Sequence, residues 1–169
     1  MLYPSGMDRE KLRESYKPSK IRLLLMGESA PASGRFFYQK SLMTVYTSRA
    51  FEEVFEKPCP NPASFLDFFR ATGCYLDDLS VVPVDKMTRS RRERVLKESI
   101  EALAGRIRDH NPGVIAIVLK RIEPHVREAI RKAGVSCPVY TLPFPGNGHQ
   151  SRFIRGLVEI LKRYIKDKI

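Results

Sequence analysis

Cysteine is scarce in this chain of 169 residues: Cys59, Cys74 and Cys137 are the only three, and no two of them form a Cys-x-x-Cys pair. An odd, widely spaced set excludes a disulfide framework and cannot assemble a four-thiolate zinc or iron–sulfur site from its own thiols, so partly buried free thiols are expected. Long apolar runs are missing too. Runs such as Leu23 to Met26, with Ile21 just before it, and Val114 to Leu119 fall far short of the roughly 20 residues that cross a bilayer. Met1 to Lys20 carries charges where a signal peptide needs an apolar stretch. These absences predict a cytoplasmic protein with no membrane partner.

Acidic residues are the third shortage. Nineteen Asp and Glu face thirty Lys and Arg, a formal net charge of +11, which points to a polyanion such as DNA, double- or single-stranded, or to a phosphorylated substrate. The excess is clustered. Lys86, Arg89, Arg91, Arg92, Arg94 and Lys97 stand together with only Glu93 among them, and the C-terminal stretch adds Arg152, Arg155, Lys162, Arg163, Lys166 and Lys168. The competing reading is a solvated basic face laced into surface ion-pair networks, as in proteins from hot habitats.

With 43% hydrophobic residues, the chain has material for one substantial core, and a single domain over residues 20–169 is expected behind a polar N-terminal arm, 1–19. Apolar runs alternate with amphipathic stretches. Strands are predicted at Ile21 to Met26, Leu79 to Val84, Val114 to Leu119 and Pro138 to Leu142; helices at Leu42 to Phe55, Ala63 to Thr72, Ser90 to His110, Glu123 to Ala133 and Phe153 to Ile165. That order predicts an α/β fold, a three-layer α/β/α sandwich around a four-stranded parallel sheet, and a monomer.

Ligands of such sheets bind at the carboxyl ends of the strands. Three loops emerge there: Gly27 to Tyr38, Pro83 to Ser90, and Pro143 to Gln150. The first combines a carboxylate, small residues and the consecutive aromatics Phe36, Phe37 and Tyr38. The third is stiffened by Pro143 and Pro145, while Gly146 and Gly148 let the backbone approach a ligand. A helix N-terminus beginning there, with His149, Gln150, Ser151 and Arg152, suits a phosphate, and Asn147 joins Gln150, Ser151 and Arg152 as a DNA-binding candidate.

Gly27-Glu28 with Pro31 and the aromatics behind it, a middle strand entered through Tyr75-Leu76-Asp77-Asp78, and a Pro-rich loop leading into the last helix are similar to the uracil-DNA glycosylase superfamily over roughly Lys20 to Ile165. The resemblance implies a four-stranded parallel sheet between helices and an enzyme that flips a damaged base out of DNA and hydrolyses its glycosidic bond without a metal; no cofactor is expected. Breaking that bond leaves an oxocarbenium-like sugar, so a carboxylate that stabilises it or activates water lowers the barrier, and a flipped base is gripped by an aromatic face and read along its edge. Glu28 is the expected catalytic carboxylate, one of Phe36, Phe37 and Tyr38 the stacking face, and Asp78 the edge reader, with Asp77 and Asp85 as rivals. Arg89, Arg91 and Arg92, together with the Pro143 to Arg152 loop, would hold the DNA.

Three departures from the family pattern matter. Ser29 stands where many members carry a water-positioning Asp or Asn, and a hydroxyl is a much weaker base. Pro143-Phe144-Pro145 replaces a His-Pro-Ser motif, which leaves His149 as the candidate imidazole with its reach open. Asp78 takes the place of an Asn; an ionised Asp only accepts hydrogen bonds, which would favour a base other than uracil. The alternatives to a base-excising enzyme are a non-catalytic nucleic-acid binder of the same fold and a nucleoside or nucleotide hydrolase.

Overall fold

The computed structural model describes residues 6–169; the first five residues of the expected arm lie outside them. Four strands, β1 (Leu23–Gly27), β2 (Cys74–Asp78), β3 (Val114–Ile117) and β4 (Val139–Thr141), form one wholly parallel sheet in the order β2-β1-β3-β4. β1 and β3 are central, and Leu23 to Met26 and Val114 to Ile117 are buried throughout, as continuous apolar strands covered on both faces must be. The helices are α1 (Gly6–Ser15), α2 (Leu42–Phe55), α3 (Pro62–Ala71), α4 (Arg89–Glu98), α5 (Ile100–His110), α6 (Glu123–Ala133) and α7 (Gln150–Tyr164).

Right-handed crossovers decide the layers. The chain moves from β1 to β2 in one direction and from β2 back past β1 to β3 in the other, so α2 and α3 cover one face and α4 and α5 the opposite one. Accordingly α6 packs on α5, and α7 packs on α2. The three-layer α/β/α sandwich expected from the sequence is the observed fold.

Local chemistry sets several boundaries. α2 starts at a capping box in which the Ser41 hydroxyl accepts from the Thr44 N–H and the Thr44 hydroxyl accepts from the Ser41 N–H. Asn61 caps α3, with Pro62 opening its first turn. Thr88 caps α4. Gly134, at φ 68°, ends α6 in the left-handed conformation.

Three expectations are corrected. The second strand is Cys74–Asp78, not Leu79 to Val84. Its two carboxylates disguise a fully buried strand, whereas Leu79 to Val84 is a loop from which Val81 and Val82 protrude, 59% and 50% exposed. The basic stretch Ser90 to His110 is two helices, because the chain breaks step at Ser99, whose hydroxyl donates to the Val95 carbonyl. The arm expected to be polar contains α1, which lays Arg9 and Arg13 against the domain as buried residues, and just beyond the helix Tyr16 stacks on Tyr38 at 5.5 Å. At the other end, α7 begins at Gln150, so Gln150, Ser151 and Arg152 form its first turn.

Candidate functional site

The strand order creates one topological switch point. The chain leaves β1 toward the α2 layer and leaves β3 toward the α6 layer, which opens a crevice at the carboxyl ends of these neighbouring strands. Glu28 directly follows β1, and Arg121, in a short 3-10 turn at Lys120–Ile122, follows β3. Their side chains meet across the crevice, with Arg121 Nη2 3.0 Å from Glu28 Oε2 and 3.1 Å from Oε1. Arg92, in the first turn of α4, adds a second guanidinium: its Nε donates to Oε2 at 3.3 Å and its Nη2 pairs with Oε1. Three strand-end connections thus converge on one carboxylate. Exposure is graded through the cluster, 56% for the Arg121 side chain, 22% for Arg92 and 10% for Glu28.

The first two loops are joined to each other. The Ser29 hydroxyl accepts from the Val84 N–H at 3.2 Å, and Asp85 accepts from the Ala32 N–H at 2.9 Å. Ser29 and Asp85 therefore hold loop geometry beside Glu28. The third loop packs on the start of α2, where a side chain at Gly146 would touch both the Phe144 ring and Leu42. Phe144 and Leu42 are exposed on this rim, as Val81 and Val82 are on the other. His149 is exposed at the start of α7; its backbone N–H donates to the Gly146 carbonyl, and among the described residues its imidazole has no hydrogen bond or ion pair. Asn147 sits beside it at φ 51°. Arg89, Arg91 and Arg152 are exposed.

The aromatic triplet is placed differently from the expectation. Phe36, Phe37 and Tyr38 are all buried, so none offers a free face to a base. Phe37 meets Phe69 edge-on at 5.3 Å, and the Arg13 guanidinium lies over Phe36 at 5.2 Å. Tyr38 closes the free edge of β2: its hydroxyl donates to the Leu76 carbonyl at 2.8 Å and accepts from the Leu76 N–H at 2.7 Å. An edge strand needs such a partner when it is buried.

Asp78 is likewise turned inward. Arg13 Nη2 donates to its Oδ2 at 2.8 Å, and the other oxygen lies against Gly27, where a Cβ would collide with it. Burial pushes the Asp78 carboxyl up from its ordinary value, with Arg13 pulling the other way. Asp77 is buried as well, which alone would raise it. The hydrogen bond from His110, with the charges of Arg106 and Arg13, outweighs burial and holds it well below the usual carboxylate range. Arg106 Nε donates to Asp77 at 2.9 Å, and His110 Nε2 lies 3.2 Å from the same oxygen. Neither aspartate faces the crevice as a base reader would.

Arg13, Arg106, His110 and Arg121 do not stand out in the sequence. Arg9, Leu12, Arg13 and Tyr16 do share one helical face, but polar neighbours mask it. The cysteines are free, and burial raises the thiol of Cys74 to about 12 and also those of Cys59 and Cys137. Among the described residues no group of three or more His, Cys, Asp or Glu could hold a metal ion, and no helix is long and apolar enough to cross a membrane. No protein-family model matches the chain, and no curated protein matches it in sequence. The functional reading rests on the crevice itself.

Proposed function

We propose that the chain is a DNA glycosylase-type hydrolase that binds DNA and releases a modified or deaminated base, with Glu28 as its catalytic carboxylate. The observation that carries this reading is Glu28 at the switch-point crevice, on the carboxyl end of β1, with cations gathered from the loops after β2 and β3. A carboxylate below a sugar that develops positive charge stabilises it and orients the attacking water, and guanidiniums beside it suit the flanking phosphates. The apolar rims at Phe144 with Leu42 and at Val81 with Val82 are suited to lie against unstacked bases beside the crevice.

The basic clusters support a nucleic-acid partner over a thermal ion network. Arg89, Arg91, Arg94 and Lys97 of α4, and Arg152, Arg155 and Lys162 of α7, form no ion pair among the described residues. A network would pair them. One observation favours a second reading, the non-catalytic binder: both oxygens of Glu28 are engaged by guanidiniums, and the Ser29 hydroxyl is engaged by a backbone N–H.

The test is base release from labelled oligonucleotides carrying uracil, hypoxanthine, xanthine or an alkylated base, single- and double-stranded. Abasic product from at least one substrate is expected, with Glu28→Ala slower by on the order of 10²-fold or more. No product from any substrate, with DNA binding retained, would replace the enzyme by the binder.

A further inference from the structure

We infer that Arg92 and Arg121 form a phosphate site that Glu28 occupies in the free protein, and that a backbone phosphate of the bound strand displaces the carboxylate and frees it for chemistry. This rests on the reading of the crevice as a nucleic-acid site. As it stands, Glu28 is not poised to act on water. Arg92 Nε and Arg121 Nη2 donate at 3.3 and 3.1 Å to its two oxygens, and Arg92 Nη2 is bonded to one of them as well. The guanidiniums take three of the roughly four acceptor sites of the carboxylate, including both on Oε1.

Charge makes the cluster incomplete. Two guanidiniums face one carboxylate, and the acidic neighbours do not make up the difference. Glu93 is paired with His125 at 3.0 Å, and Asp85 accepts the Ala32 N–H. Lys120, Arg89 and Arg91 are exposed nearby in the chain, and among the described residues Arg89 and Arg91 form no ion pair. A phosphate carries at least one charge and two or more acceptor oxygens, and it fits the planar fork of an arginine as well as a carboxylate does.

The gradient of exposure sets the order of events. Arg121, more than half exposed, meets an arriving phosphate first; Arg92 lies deeper, and Glu28 deepest. Arg121 holds its end of the pair from a mostly exposed side chain, so that contact is the easier of the two to break, and a phosphate oxygen replaces the carboxylate oxygen on its guanidinium. The exchange leaves the arginines paired with phosphate and the oxygens of Glu28 free to accept, so substrate binding itself switches Glu28 on.

Calorimetric titration with inorganic phosphate tests the site without base release. Glu28→Gln removes the internal competitor's charge and is expected to tighten phosphate binding about tenfold, whereas Arg121→Gln is expected to weaken it about tenfold. A purely structural ion cluster predicts neither change; an unaltered or weakened affinity in Glu28→Gln, or wild-type affinity in Arg121→Gln, overturns the inference. Arg121 is exposed enough for its variant to fold even if Glu28→Gln does not, and its thermal transition is recorded alongside. The strand as the source of the phosphate is checked by comparing a 5′-mononucleotide with a short oligonucleotide: the oligonucleotide should lose more affinity in Arg121→Gln, and a mononucleotide that binds more tightly contradicts the assignment. If the phosphate results hold but no base is ever released, the enzymatic reading alone fails. If base release depends on Glu28 while phosphate binding ignores both substitutions, the exchange alone fails.

Discussion

Asp77 and Asp78 are sequence neighbours, both buried, and their carboxyls are driven in opposite directions. An ordinary Asp titrates near about 4. Because Asp77 is held below that by His110, Arg106 and Arg13, its contribution to stability is complete above that pH and is lost as pH falls through its depressed folded value. Asp78, raised by burial, contributes in the reverse sense: its share is greatest in acid and is lost as pH rises through its folded value. Asp77→Asn should therefore destabilise the protein at neutral pH by about 1–3 kcal/mol, the usual effect of removing a charged hydrogen-bond partner from Arg106 and His110, and should flatten the acid limb of the stability curve below about pH 4. Urea melts across pH 2–8 would show both. Tyr38→Phe should cost about 1–3 kcal/mol by stripping the Leu76 N–H and carbonyl of their partner, with little effect on base release, because Tyr38 lies in the core. An undiminished thermal transition in that variant would contradict the edge-closing role.

At the scale of elements, α1 and β2 depend on each other. Arg13 reaches from α1 to the Leu76 carbonyl and to Asp78, at 3.1 and 2.8 Å, so the helix supplies the charge that allows a strand ending in two aspartates to be buried. Arg13→Gln should lower stability by about 3–5 kcal/mol and raise hydrogen exchange selectively in α1 and β2 while leaving β3 and β4 protected. Uniform exchange across the sheet would mean that α1 is only an appendage. Gly27→Ala should weaken the same corner, since its Cβ would strike Oδ1 of an Asp78 carboxylate whose other oxygen is held by Arg13. This interdependence explains what was legible. α2 and α6 are readable because Leu42–Phe55 and Glu123–Ala133 have caps and an apolar face that local rules recognise. β2 is concealed because its burial is satisfied by Arg13 and Arg106, residues far away in sequence, and hydropathy alone favours the more apolar Leu79 to Val84. α1 is concealed for the complementary reason, its inner face being arginine.

At the scale of the whole molecule, the excess of cations lies on helices that start at the carboxyl end of the sheet from opposite layers, α4 and α7. DNA binding should then fall steeply with salt, by on the order of 10³-fold between 50 and 200 mM if six or more phosphates are contacted; a fluorescence-anisotropy titration series would show it, and a flat response would point to a free nucleoside as ligand. The site was legible in part. A charge placed directly after an apolar strand marks Glu28, and the same rule marks Arg121 after the Val114 to Leu119 run, but one arginine is hard to distinguish among thirty cations. The aromatics mislead because a triplet beside a strand serves a core as readily as a ligand, and only packing distinguishes the two. Amide chemical-shift mapping during titration with a short DNA duplex decides whether nucleic acid meets this protein at the crevice between β1 and β3. Shifts should centre on Gly27 to Ser29, Arg89 to Arg92 and Leu119 to Ile122, with the third loop at the margin; shifts confined to the amino ends of the strands, or to the far turns of α7, would contradict it.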